Sequence, residues 1–322
     1  MFDQEIRVRD IGSFYIGGEL ASLSGLAERE VRYAANAPPL RVDPNGTYVH
    51  GQVYVHYVRL AHPISRLPVL FLNGGTSTGA TWETTPDGRP GWQSMFLKSG
   101  YDTYVTDGCG KGRASMAPFP DIILTMPVFR PHEQTWRLLR IGPRYTIDPA
   151  TREAFPGTQF PVSHFDDYAK QIVPRFTGQD ATELTACRAL IERIGPCIIV
   201  AQRSGGALAT LLAAEMPSRV KAIVTVEMTA APDLSTLNCN ALATVPQLIL
   251  WGDNWRATQP WQDIRKAIDD YSAAIRSKGC DIAIDDLPGR GLLGNSHQMM
   301  LDGNNDLIAK IVLGWLSRRI KL

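Results

Sequence analysis

The sequence of 322 residues predicts an α/β fold: a mostly parallel central sheet flanked by helices, with N-terminal antiparallel strands and an inserted cap. Three observations predict it. From Pro68 onward, short apolar runs alternate with longer amphipathic segments, which is the signature of βαβ units. Before that point, SFYIGG and TYVHGQVYVHYVRL are rich in β-branched and aromatic residues and are separated by Gly and Asn-Gly turns, as antiparallel strands are. From about Ser115 to Gly178 the alternation gives way to Pro, aromatics and Met.

The parallel strands are predicted at VLFL (69–72), DTYVTD (102–107), CIIVA (197–201), AIVTVE (222–227), LILWG (248–252) and DIAID (281–285). The segments GALATLLAAEM, WQDIRKAIDDYSAAIRS and NDLIAKIVLGWLSRRI have helical spacing and supply crossovers and a closing helix. One domain over 1–322 is expected, with 115–178 as a cap carrying short helices of its own, because a structureless loop of that length is improbable in a compact domain.

Composition excludes some function classes. Lys plus Arg is 33 and Asp plus Glu is 32, so no overall field favours nucleic acid or an anionic membrane surface. A small-molecule substrate suits that balance, and a homodimer is compatible with it. Cys109, Cys187, Cys197, Cys239 and Cys280 are widely spaced and form no CxxC pair, so they read as buried thiols. The charged start MFDQEIRVRD has no apolar stretch, so a cytoplasmic location is expected, or a periplasmic one if a leader has been removed.

The chemistry concentrates in three places. CIIVAQRSGGALATLLAAE reads as strand, tight turn with Ser204 at its tip, and helix, which resembles the nucleophile elbow of α/β-hydrolases. In that layout the Gly205 amide faces the oxygen of a bound carbonyl. Gln202 stands where the usual G-x-S-x-G pattern has its first glycine. After VLFL, Asn73-Gly74-Gly75 lets the backbone turn its amides inward, making Gly75 N–H the first candidate for the other oxyanion donor and Thr76 N–H the second. The base should follow the last strand, and of six histidines only His297 does. Asp253, after LILWG, and Glu227, ending AIVTVE, are both placed to be the acid. The glycines of GCGKGR fit neither a dinucleotide fingerprint nor a Walker loop and read as a tight turn into the cap.

Taken together, SFYIGG, TWETTPDGRPGW, FLKSGY, YVTDGCGKGRAS, RIGPRY, TQFPV and GNSHQMMLDGNN resemble a group of small bacterial esterases within the α/β-hydrolase superfamily, typified by the Alcaligenes esterase 713. The resemblance implies a Ser-His-Glu triad whose acid lies in a Val-Glu stretch matching Val226-Glu227, and so favours Glu227 over Asp253. It departs at two stretches. The family's His-Gly-Cys-Cys is Asn73-Gly74-Gly75-Thr76 here, and its Ser-His-Ser-Gln-Ser-Gly corresponds to Val200 through Gly205.

The resulting expectation is a carboxylic ester or lactone hydrolase that works through an acyl-enzyme and calls for no metal or organic cofactor. A hydrolase-fold binding protein without turnover, or an amide or carbon–carbon bond hydrolase with the same triad, is the alternative. Met116, Phe119, Met126, Trp136, Tyr145, Phe155, Phe160 and Phe165 suggest either an apolar pocket for an aryl or alkyl group or, for most of them, the core of the cap. Arg203, beside the serine, is expected to have a structural role, with contact to an acidic substrate group as the other possibility.

Overall fold

A computed structural model describes residues 5–123 and 125–320. Residues 1–4 of the charged N-terminal stretch and Leu124 of the 115–178 segment lie outside the described residues.

Ten strands are present among the described residues: β1 (Val8–Leu23), β2 (Arg29–Val31), β3 (Leu40–Val42), β4 (Gly46–Leu60), β5 (Val69–Leu72), β6 (Thr103–Asp107), β7 (Cys197–Gln202), β8 (Val220–Val226), β9 (Gln247–Trp251) and β10 (Ile282–Asp286). Eight of them form one sheet in the order β1-β4-β6-β5-β7-β8-β9-β10, and β2 pairs with β3 apart from it. The first two junctions, β1 with β4 and β4 with β6, are antiparallel, and every later one is parallel. The change of direction follows composition. β4 alternates buried and less buried residues, as a sheet with one wetter face does, whereas β5, β7 and β9 are buried at every position.

Successive side chains of a strand point to opposite faces, so VLFL is divided between two cores. Val69 and Phe71 join Trp82, Trp92, Phe96 and the C-terminal helix Asn305–Arg319 on one face. Leu70 and Leu72 join Leu190, Leu212 and Ile275 on the other. Leu190 belongs to a helix that sequence reading passed over, Asp180–Ile194, whose charged exposed face dilutes its apolar stripe.

The segment 115–178 contains the helices His132–Leu138 and Phe165–Ala169 and two short 3₁₀ turns. Most of its aromatics belong to a core, the second of the two readings. Trp136, Phe160 and Phe165 are fully buried in the same core as Val69 and Phe71, Met126 is exposed, and Phe119 stacks on Tyr48 of β4. The segment is therefore packed onto the sheet's own core. No helix among the described residues is long and apolar enough to cross a membrane.

Candidate active site

The carboxyl ends of β5, β7 and β8 and the loop after β10 meet at one place. Glu227 directly follows β8, with its backbone at φ +55° and its side chain fully buried. Its Oε1 accepts from Arg140 Nη2 at 2.5 Å and the Gly252 amide at 2.5 Å, and its Oε2 accepts from Arg140 Nη1 at 2.7 Å. The same Oε2 lies 2.9 Å from His297 Nδ1. A carboxylate can only accept, so Nδ1 carries the proton and Nε2 is left with a free lone pair.

Burial alone would push the Glu227 carboxyl up, but the Arg140 charge and then the His297 hydrogen bond outweigh it and bring its pKa down to about 2. His297 is lowered to about 3, first by burial and then by the nearby charge of Arg203, with Glu227 opposing. The pair is thus carboxylate plus neutral imidazole. Trp261 packs its ring 4.4 Å from that of His297, and the Arg140 guanidinium lies 4.6 Å from the same indole. Asp253, the second acid considered, is occupied elsewhere: its carboxylate accepts from the Gly294 and Asn254 amides and so shapes the loop leading to His297.

The strand-to-helix bend differs by one residue from the sequence reading. Arg203, not Ser204, carries the left-handed backbone at φ +54°, and Ser204 at φ −64° and ψ −20° already begins the helix Gly205–Glu215. A side chain with a Cβ is held in that region only by surrounding structure, so the strained tip belongs to Arg203. The elbow layout put the turn's tip on Ser204 with Gly205 and Gly206 opening the helix, and Gly206 serves packing there: a Cβ on it would meet Thr225 at 2.3 Å. Gln202, the departure from the usual elbow pattern, is fully buried and donates through Nε2 to Gln298 Oε1 at 2.5 Å. It ties the bend to the residue after His297.

Gly74 is required by contact. A Cβ on it would lie 2.4 Å from the Gln202 carbonyl oxygen and within 2.9 Å of the Ser204 and Gly205 amide nitrogens. This close approach brings the β5 loop against the bend. Among the described residues, the amides of Gly75, Ser204 and Gly205 donate no hydrogen bond.

A cavity of about 240 Å³ is lined by Gly75, Thr76, Ser204, His297, Trp261 and Ile264 among others, and Gly205 lines a second cavity with Gly75 and Ser204. Ser204, His297 and Gly75 thus face common space. No hydrogen bond joins Ser204 to His297 among the described residues. Sequence reasoning missed Arg140, Trp261 and the Gln202–Gln298 tie. Of these, Gln202 alone had a signal in the sequence, standing where a small residue is usual.

No protein-family model matches the chain. A solved structure described as a novel bacterial esterase superposes with a TM-score of 0.84 at 30% identity, covering 98% of each chain. Among curated proteins, a probable secreted lipase, phiG, from a fungal species (strain ATCC 74256) is 26% identical over 337 residues, which is 85% of this chain and 88% of that one. With the strand order, the bend after β7 and the likeness to the bacterial esterase along nearly its whole length, the chain belongs to the α/β-hydrolase superfamily, in the group of that esterase.

Proposed function

We propose that this chain hydrolyses a carboxylic ester or lactone, with Ser204 as nucleophile and the His297–Glu227 pair as its base. The carrying observation is the buried 2.9 Å contact between Glu227 and His297, which leaves Nε2 unprotonated, in a residue that lines one cavity with Ser204. Ser204 Oγ adds to the substrate carbonyl while Nε2 takes its proton, and the Glu227 carboxylate stabilises the imidazolium. The amides of Gly75 and Gly205 hold the oxyanion, each contributing on the order of 3 kcal/mol in the transition state. The imidazolium then protonates the departing alcohol, and water repeats the sequence on the acyl-enzyme. The bacterial esterase and the fungal lipase are named for this bond class.

One observation favours a second reading, binding of a small molecule without turnover. Arg203 holds the strained position at the bend, where an α/β-hydrolase places its nucleophile, and Ser204 lies one residue beyond. Incubation with a fluorophosphonate followed by peptide mass spectrometry separates the two. The hydrolase reading requires a label on Ser204, a loss of about 10⁶-fold in kcat for Ser204→Ala, and a loss of about 10⁴-fold for Glu227→Gln. An unlabelled Ser204 together with no turnover of aryl esters or lactones leaves the binding reading.

A further inference from the structure

Arg203 is 5% exposed, and its Nε and Nη2 make no hydrogen bond among the described residues. These two nitrogens form the side-on edge of the guanidinium, the fork that accepts both oxygens of one carboxylate. Among the described residues no carboxylate forms an ion pair with it. Glu227, the acid whose charge reaches Arg203, is already taken by Arg140, Gly252 and His297. A buried guanidinium with neither counter-ion nor full hydrogen bonding is costly to fold around, so its retention asks for a compensating ligand.

The surroundings agree. The cavity that Arg203 lines also receives Arg130 and Arg175, and no Asp or Glu lines it. Neither Arg130 nor Arg175 makes an ion pair among the described residues, in a chain whose charges otherwise nearly cancel. Beside these cations the wall is apolar, with Leu138, Ile264 and Trp261.

We infer that Arg203 is a carboxylate receptor, and that the ligand of this cavity is a small organic acid: on the hydrolase reading, which the word substrate rests on, an ester or lactone carrying a free carboxylate. The apolar wall beside the cations favours an organic acid over a free inorganic anion. Its carboxylate offers the guanidinium the acceptors that the protein withholds, through rotation of the outer torsions of Arg203 toward the cavity. Neutralising that charge also relieves its depression of His297, so an anionic ligand makes the imidazole a better base than a neutral one does.

The test is calorimetric titration of phenylacetate and phenylacetamide into the wild-type protein, Arg203→Met and Arg203→Lys, with circular dichroism to verify folding. The wild type should prefer the acid by roughly 10- to 100-fold. Arg203→Met should abolish that preference, and Arg203→Lys, which retains the charge without the fork, should keep part of it. An undiminished preference in folded Arg203→Met, or in Arg203→Lys and Arg203→Met alike, assigns the anion to another group and overturns the inference. So does wild-type protein that binds neither probe. Binding is read without turnover, so a failure of the hydrolase reading, seen as an unlabelled Ser204, is a separate result.

Discussion

Two buried arginines feel the charge of Glu227, and they have opposite fates. Arg140, just past the helix His132–Leu138, and Arg203, just past β7, both have left-handed backbones, at φ +57° and +54°, and both are at most 5% exposed. Arg140 is saturated: two nitrogens on Glu227, Nε on the Asp253 carbonyl at 2.7 Å, and its face on Trp261. Arg203 has two donors with no acceptor. Satisfaction rather than burial separates a cation that holds a site together from one that waits for a ligand. Arg140, Arg203 and Glu227 are three of the four non-glycine residues with positive φ among the described residues, so backbone strain gathers where the charges meet.

The comparison can be broken most readily at Arg140. Arg140→Met leaves the Glu227 carboxylate buried without its main counter-charge and should cost about 3–5 kcal/mol in chemical denaturation. A loss under 1 kcal/mol would mean that the two arginines are energetically alike. Arg203→Met should act in the other direction. Removing an uncompensated buried charge should raise stability by about 1–4 kcal/mol in the absence of ligand, and a destabilised but folded variant would show that Arg203 is structural after all.

A third test sharpens the comparison at His297, whose imidazole should stay neutral in native protein down to about pH 3, whereas in the unfolded chain it protonates near 6.5. Between those values the unfolded state binds the extra proton, so this group makes stability fall as pH is lowered from 6.5 toward 3. Glu227, at about 2 in the native state, adds to the loss below its ordinary value of 4.5. Asp302 works against both: burial raises it to about 7, so it erodes stability as pH rises from 3.8 through 7. NMR titration of His297 in Arg203→Met should find its pKa moved upward; an unchanged value would remove the electrostatic link between the two side chains.

How much of this could be read from sequence differs by element. The parallel strands were legible because they are buried on both faces and so appear as unbroken apolar runs, as CIIVA and LILW do. Glu227 and His297 were legible because each ends or follows such a run, although residue types alone left Asp253 equally placed. The single-residue error at the bend has a local cause: the elbow pattern is centred on its serine, while the turn falls on a residue whose side chain gives no hint of positive φ. Arg140 was invisible. It meets Glu227 across 87 positions of chain, and nothing in RIGPRY distinguishes a buried guanidinium from an exposed one.

The segment 115–178 is sewn to the rest of the site at several points. The His297 amide donates to Leu139, Gln159 donates to Gly294, Gly303 donates to Gln159, and Val173 donates to Thr76. Lifting that segment as one body would strip Arg140 from Glu227 and unlace the loop of His297 together. A route that spares those bonds passes Arg130 and Arg175, which line the cavity and are partly exposed. A doorway framed by cations gathers anions from solution faster than neutral molecules, and added salt erases that advantage, so ionic strength selects among visitors before any bond is touched.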